Sequence, residues 1–292
     1  MLKILPQLFY ETPEIRKVLV DGLSCVIHKT LQEPVLGKEG YVSTHAITLV
    51  LNGKLRIEND RGFLTEVGKD QLIFIPKGLY TISDILIESG PFEAIVFFFD
   101  EQVIREFVDA LHLSQSSEKC ISHLIMDHTE RLKLFTSSLL DLYGGARPPR
   151  ELTRMKLFEF LHLLVTSQES DCFVTALGTL NNKEKRSLRS FMESNAHKPL
   201  SIEDYAYLTG RSLSSFRRDF KSKFGGMSPK KWLIEKRLDR AVELLTTGDR
   251  TITTIAFESG YENIPHFIKT FRNKFGITPK QFLLQRRKEV LV

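Results

Sequence analysis

The sequence has few cysteines, no long apolar run and no catalytic signature. Cys25, Cys120 and Cys172 are odd in number and far apart. They fit neither a zinc spacing nor a disulfide framework, which suits a reducing cytoplasm. No run approaches the roughly 20 apolar residues of a membrane span. The longest, "EAIVFFFD" at 93–100, reads as a buried strand. The N-terminal "MLKILPQLFYETPEIR" lacks a long apolar segment with a small-residue cleavage site, which reads against secretion. No phosphate-binding loop, nucleophile motif or metal-ligand cluster stands out. These absences argue against an enzyme, and no metal or cofactor is expected.

What the chain does have is material for two cores: 292 residues, 42% hydrophobic and 26% charged. Its net charge of +5 conceals an asymmetry. Residues 181–292 hold 23 Lys and Arg against 12 Asp and Glu, a net +11. Residues 1–180 hold 18 against 24, a net −6. A basic C-terminal third suits a polyanionic partner, and a solvated charged surface fits the charge alone equally well.

The first hundred residues read as strands. "HAITLVLNGKLRIEND" alternates around Asn52-Gly53, a hairpin signal. "DQLIFIP" and "GLYTISDILI" repeat the pattern around Pro76-Lys77-Gly78, and "PFEAIVFFFD" closes the run. An antiparallel sandwich or small barrel is expected. After Asp100 the period changes, and "EQVIREFVDALHL", "SHLIMDHTERLKLFTSSLLDLYGG" and "RELTRMKLFEFLHLLVTSQ" read as helices. Gly144-Gly145 and Pro148-Pro149 supply the turn of a helical hairpin. "SQESDCFVTALGTLNN" has no clean period and reads as a linker. The expected organisation is a domain over 1–166, a linker over 167–182 and a helical domain over 183–292.

The helical domain repeats. "SIEDYAYLTGRSLSSFRRDFKSKFGGMSPKKWLIEKR" aligns with "TITTIAFESGYENIPHFIKTFRNKFGITPKQFLLQRR". Ile202, Ala206, Gly210 and Pro229 match Ile252, Ala256, Gly260 and Pro279. Phe216, Phe220 and Phe224 match Phe267, Phe271 and Phe275 after one inserted residue. Each copy has the logic of a helix-turn-helix. A short helix ends at a glycine suited to a left-handed turn. Ser212 or Asn263 then caps a second helix. In that helix the phenylalanines fall at i, i+4 and i+8, one inward stripe. The outer face carries Ser214, Arg217, Arg218 and Lys221 in the first copy, and His266, Lys269 and Asn273 in the second. A helix with a buried aromatic rail and a polar, basic outer face suits the major groove of DNA. The plainer reading is a helical repeat with solvated lysines.

Residues 183–288 resemble the double helix-turn-helix domain of the AraC/XylS family of bacterial transcription regulators. "RLDRAVELLTTGDRTITTIAFESGYENIPHFIKTFRNKFGITPKQF" carries the likeness. The resemblance implies two recognition helices in successive major grooves of double-stranded DNA, joined here by "PKKWLIEKRLDRAVELLTT". By position it implies Ser214, Ser215, Arg217 and Arg218 at base edges from the first helix, and Ile264, Pro265, His266 and Lys269 from the second. "NIPHF" departs from the small polar residues common in relatives. Ile264 and Pro265 suit thymine methyls, or the second unit positions the protein through phosphates. The paired arginines, suited to guanine, make the first unit the expected main reader.

The N-terminal half matches, more loosely, the cupin-like barrel and dimerisation helices that precede this domain in the family. The expected fold is therefore α+β: a cupin-like antiparallel β-barrel with a helical hairpin, then an all-α double helix-turn-helix domain. "GKDQLIFIPKGLYTIS" is similar to a cupin motif. The His-x-His pair of metal-binding cupins is missing, since His45 stands alone and Thr81 falls near the place of the later histidine. His28, Tyr41 and His45 are the candidates for lining an effector pocket, although lone strand histidines are mostly structural. His112, His123, His128 and His162 lie at no ligand spacing. The segment 150–167 carries more apolar surface than a small barrel covers, so helices within 101–166 are expected to form a homodimer. The family likeness adds an activator that meets RNA polymerase, controlled by a small-molecule effector or by a regulatory protein.

The charge split and the repeat yield a direct expectation. Residues 183–292 expressed alone should bind duplex DNA with an affinity that falls steeply with salt, whereas residues 1–180 should not bind. Fluorescence anisotropy across a salt series measures both.

Overall fold

The computed structural model describes residues 3–60, 62–88, 90–111, 124–143, 149–166, 170–180, 187–247 and 250–290. The Gly144-Gly145 turn, Cys120, His112, His123 and the start of the helical domain at 183 lie outside these residues. The chain divides into a unit of residues 2–182 and a unit of residues 183–292. It is an α+β fold, with the sheets in the first unit and, among the described residues, helices alone in the second.

The first unit begins with β1 (Lys3–Leu5), α1 (Gln7–Glu11), β2 (Arg16–Asp21), β3 (Ser24–Leu31), β4 (Val35–Val42) and β5 (His45–Asn52). It continues with β6 (Lys54–Asn59), β7 (Leu64–Val67), β8 (Gln71–Ile75), β9 (Gly78–Ile85) and β10 (Phe92–Phe99). Then come α2 (Glu101–Ala110), β11 (Leu124–Asp127), α3 (Glu130–Tyr143), α4 (Arg150–Val165) and α5 (Ser170–Thr179). The strands form two sheets, in the orders β1-β4-β9-β6-β7 and β11-β8-β5-β10-β3-β2. All pairs are antiparallel except β1 with β4, which is parallel.

The second sheet is buried on both faces. From β10, Phe92, Ala94, Val96 and Phe98 join the core between the sheets. The alternate residues Ile95, Phe97 and Phe99 join a second core under the helices. Strands β5 and β8 divide in the same way, with Ala46, Val50, Ile73 and Ile75 on one side and Ile47, Leu49, Leu72 and Phe74 on the other. Two-sided burial is why "EAIVFFFD" is continuously apolar. On the helical side the Phe97 and Phe160 rings stack with centroids 3.8 Å apart. Such a pair contributes about 0.5–1.5 kcal/mol beyond its buried area.

Three expectations need correction. Asn52-Gly53 and Pro76-Lys77-Gly78 do not close hairpins. β5 and β8 belong to the six-stranded sheet and β6 and β9 to the five-stranded one, so each turn carries the chain between sheets. A Cβ on Gly53 would stand 2.7 Å from the Ile85 carbonyl oxygen, so the corner is filled by neighbouring backbone. Second, "LIMD" is strand β11, paired with β8 through Leu124↔Phe74 to Asp127↔Gln71, and not the start of a helix. A free sheet edge outweighed its local periodicity. Third, the segment 167–182 contains helix α5 and is not wholly linker. Phe173, Ala176 and Leu177 are buried in the helix-side core, and the Phe173 ring meets Phe74 edge-on at 5.6 Å.

Phe173→Ala is therefore expected to destabilise the first unit by about 3–5 kcal/mol, read as a shift in its urea midpoint. A substitution in a true linker would be silent.

Candidate nucleic-acid interface

The second unit consists of α6 (Leu188–Asn195), α7 (Ile202–Leu208), α8 (Leu213–Lys223), α9 (Pro229–Thr246), α10 (Ile252–Glu258), α11 (Ile264–Phe275) and α12 (Pro279–Val290). Its two helix-turn-helix copies, α7–α8 and α10–α11, share their local chemistry. Ser201 and Thr251 cap the first helices, accepting from the Asp204 and Thr254 backbone N–H at 3.1 Å. At the turns, the Gly210 N–H donates to Tyr207 O and the Gly260 N–H to Phe257 O, both at 2.9 Å. The next residues, Arg211 and Tyr261, donate to Ala206 O at 2.9 Å and Ala256 O at 3.0 Å. Gly210 and Gly260 have φ of 69° and 90°, the left-handed region glycine adopts freely. Ser212 caps α8 through the Ser215 N–H, and Asn263 caps α11 through the His266 N–H. The sequence-based caps and turns are thus observed.

The aromatic rails are equally alike. Phe216, Phe220, Phe267 and Phe271 are fully buried, and Phe224 is 9% exposed. Phe220 and Phe224 stack at 4.0 Å, and Trp232 of α9 meets both rings edge-on. In the second copy Phe271 and Phe275 lie 4.5 Å apart, and Phe282 of α12 occupies the place of the tryptophan. Helix α9 joins the copies as one continuous helix, capped by Ser228 with Pro229 at its first turn.

The rails turn the candidate residues outward. Ser214, Arg217, Arg218 and Lys221 are exposed on α8, and Ser215 is half-buried. The Arg218 Nε lies 3.8 Å from Asp219 Oδ1. On α11, Pro265, His266, Lys269 and Asn273 are exposed, while Ile264 is half-buried against the core of its own unit. Packing therefore takes part of the surface that Ile264 could offer to a thymine methyl. Each copy presents guanidinium, ammonium or imidazole groups beside small polar ones, a set that pairs with phosphate oxygens and base-edge acceptors.

Some residues of this unit escaped the sequence reading. Arg211, whose side chain is 5% exposed, donates from Nε to Asp219 Oδ2 at 3.1 Å and from Nη1 to Thr209 O at 2.7 Å. This pair fastens the first turn to its recognition helix. The i, i+8 spacing of opposite charges across a cap was its only signal. Arg237, half-buried in α9, donates to the Ala196 and Lys198 carbonyls. Burial pushes the phenols of Tyr205 and Tyr261 up to about 12, and the Arg237 cation opposes that rise in both. Nothing local in the sequence marks Arg237, because its acceptors lie some forty positions away.

In the first unit, the contacts of His28, Tyr41 and His45 are structural ones. The His28 Nε2 lies 2.7 Å from Glu93 Oε1. Tyr41 is 1% exposed. His45 is buried, and its Nδ1 accepts from the Lys77 backbone N–H at 3.3 Å. A cavity of about 40 Å³ does lie between the sheets, and none of the three lines it. Its walls include Phe9, Val42, Ala46, Phe92 and Phe98, with Lys29 and Asp84 joined at 2.5 Å. Among the described residues, no three His, Cys, Asp or Glu gather into a group that could hold a metal ion. No described helix is long and apolar enough to cross a membrane.

Known proteins match both units. A family model described as a helix-turn-helix domain matches residues 201–285. Another, the ExsA N-terminal regulatory domain, matches residues 45–175. The thermoregulatory protein LcrF of Yersinia pestis is 33% identical over 138 residues, covering 47% of this chain and 51% of LcrF. In that match the chain spans about half the length of its relative. The HTH-type transcriptional regulator ExsA of Pseudomonas aeruginosa is 27% identical over 242 residues, covering 80% of this chain and 84% of ExsA. Among solved structures, apo ToxT K231A from Vibrio cholerae aligns over 91% of this chain and 98% of its own, with 11% identity and a TM-score of 0.45. These matches give the chain an AraC-type helix-turn-helix domain preceded by an ExsA-like N-terminal domain.

Proposed function

We propose that this chain is a sequence-specific DNA-binding transcription activator of the AraC/XylS family, cytoplasmic and without catalytic activity. Residues 183–292 read DNA, and a cupin-like domain ahead of them regulates that reading. One observation carries the proposal: two matching helix-turn-helix units each bury an aromatic rail and expose a polar, basic helix face. The +11 charge of the same region adds the attraction to phosphate that such a reader needs. Activation and contact with RNA polymerase follow from the family likeness. Helices α8 and α11 enter successive major grooves about one DNA turn apart, roughly 34 Å.

Within this reading, Arg217 and Arg218 pair with guanine and Lys221 with the backbone. Ser214, Ser215, Pro265, His266, Lys269 and Asn273 complete the two faces, with Ile264 only partly available. Control of the first unit has two readings: a small-molecule effector or a regulatory protein. A cavity of about 40 Å³ is far below the roughly 300–1,000 Å³ of ligand pockets and suits water. Its size favours the protein partner. A metabolite that raised the melting temperature in a thermal-shift screen would reverse that preference.

Helices within 101–166 supply the homodimer contact. Leu134 and Leu142 of α3 and Met155 of α4 are 74%, 66% and 68% exposed, which suits association between copies. Leu134→Glu combined with Met155→Glu is expected to convert a dimer to a monomer in light scattering. The melting temperature should hold, since neither side chain is in the core.

For the reading itself, Arg217→Ala or Arg218→Ala is expected to weaken binding to the selected site by about 1–3 kcal/mol. Binding to random duplex should change little. Lys221→Ala should weaken both about equally. Anisotropy titrations on the two duplexes decide the matter, and arginine variants that lose both alike would rule out base reading by α8.

A further inference from the structure

Within the second unit, one guanidinium outside the recognition helices ties the two helix-turn-helix copies together. Arg237 lies midway along α9. Its Nε donates to the Ala196 carbonyl at 3.0 Å and its Nη2 to the Lys198 carbonyl at 2.7 Å. Both acceptors sit in the loop between α6 and α7, in the first copy's half of the unit. The Tyr205 hydroxyl grips that loop from α7, donating to Asn195 O at 2.8 Å and Lys198 O at 3.2 Å. The far side of the loop meets the second copy. A Cβ on Gly260, the turn glycine between α10 and α11, would stand 2.5 Å from the His197 carbonyl oxygen and 3.0 Å from Arg237 Nε. Loop 195–198, the middle of α9 and the second turn thus converge at one point.

We infer that Arg237 is a positioning residue that locks the two helix-turn-helix units into one reading head of fixed spacing. The inference rests on the DNA reading proposed above. A continuous helix sets the length between the copies but leaves each copy's tilt to its own packing. A planar guanidinium seated on two carbonyls fixes direction as well as distance, and a lysine ammonium does not. On DNA, a slip of one base pair moves a groove by about 3.4 Å and rotates it by about a tenth of a turn. The converging contacts oppose both movements.

The test selects DNA duplexes from a random-sequence pool with the full-length protein, its Arg237→Ala variant and its Arg237→Lys variant. Its readout is the number of base pairs between the two enriched segments. The unaltered protein should enrich one spacing, about 10–10.5 base pairs centre to centre. Arg237→Ala should enrich the same two segments at spacings spread over two or more values, and Arg237→Lys should share the spread. A role confined to stability would lower the melting temperature without broadening the spacing. A single unchanged spacing in the variants therefore overturns the inference. Should the alanine variant fail to fold, the lysine variant is read by the same criterion. An unaltered protein that enriches one segment or none overturns the two-unit reading itself, and the inference falls with it before any variant is compared.

Discussion

The packing of a phenylalanine rail on one side of each recognition helix, buried throughout in the first copy and half-buried at Phe275 in the second, is the constraint on which the DNA-facing surface depends. With 3.6 residues per turn, fixing positions i, i+4 and i+8 inward fixes the rotation of the whole helix. Phe216, Phe220 and Phe224 therefore decide that Arg217, Arg218 and Lys221 face solvent. Trp232 and Phe282 close the two rails from the following helices, so each rail is anchored by the next element as well as by its own. The outer chemistry is free to differ between copies because the inner chemistry does not. This is how "SLSSFRRDF" and "NIPHFIKTF" share a geometry and offer different surfaces.

Much of the second unit was legible in the sequence, for a physical reason: its determinants are local. The caps Ser212 and Asn263, the turn glycines and the helix from Pro229 all act within a few residues of themselves. A repeat displayed each of them twice. The features that escaped reading are distant pairings. Arg237 and its acceptors in the 195–198 loop belong to this class. Arg211 and Asp219 are closer in sequence, but their pairing depends on a turn that folds one back over the other.

The first unit shows the same divide more sharply. Strand positions and the buried run in β10 were readable from alternation and composition. Strand partners were not. Asn52-Gly53 has the sequence of a tight hairpin, and the choice between pairing neighbours and crossing sheets lies in residues far along the chain. The helix-side core explains the remaining differences. The broad apolar surface of α4 covers Phe97 through Phe160, and α5 folds back to cover Phe74 through Phe173. The sequence shows the apolar surface without showing which element covers it. His28 and His45, singled out for their chemistry, serve structural contacts with Glu93 and the Lys77 backbone.

The crossing of the chain between sheets at Gly53 and Pro76 also bears on how the protein is made. Apart from the β2–β3 and β6–β7 pairs, both sheets are assembled from strands that are not consecutive in sequence, as when β5 pairs with β8 and β10 while β6 pairs with β9. Each of these distant pairings must close a long loop before any contact rewards it, so topology sets a slow rate, on the order of milliseconds to seconds for such folds. The C-terminal helices make mostly near-neighbour contacts and belong to a class that folds in microseconds to milliseconds. On a ribosome the slow half emerges first, and synthesis of the remaining chain gives it time to find its partners. A chain with the halves in the reverse order would release its least forgiving topology last.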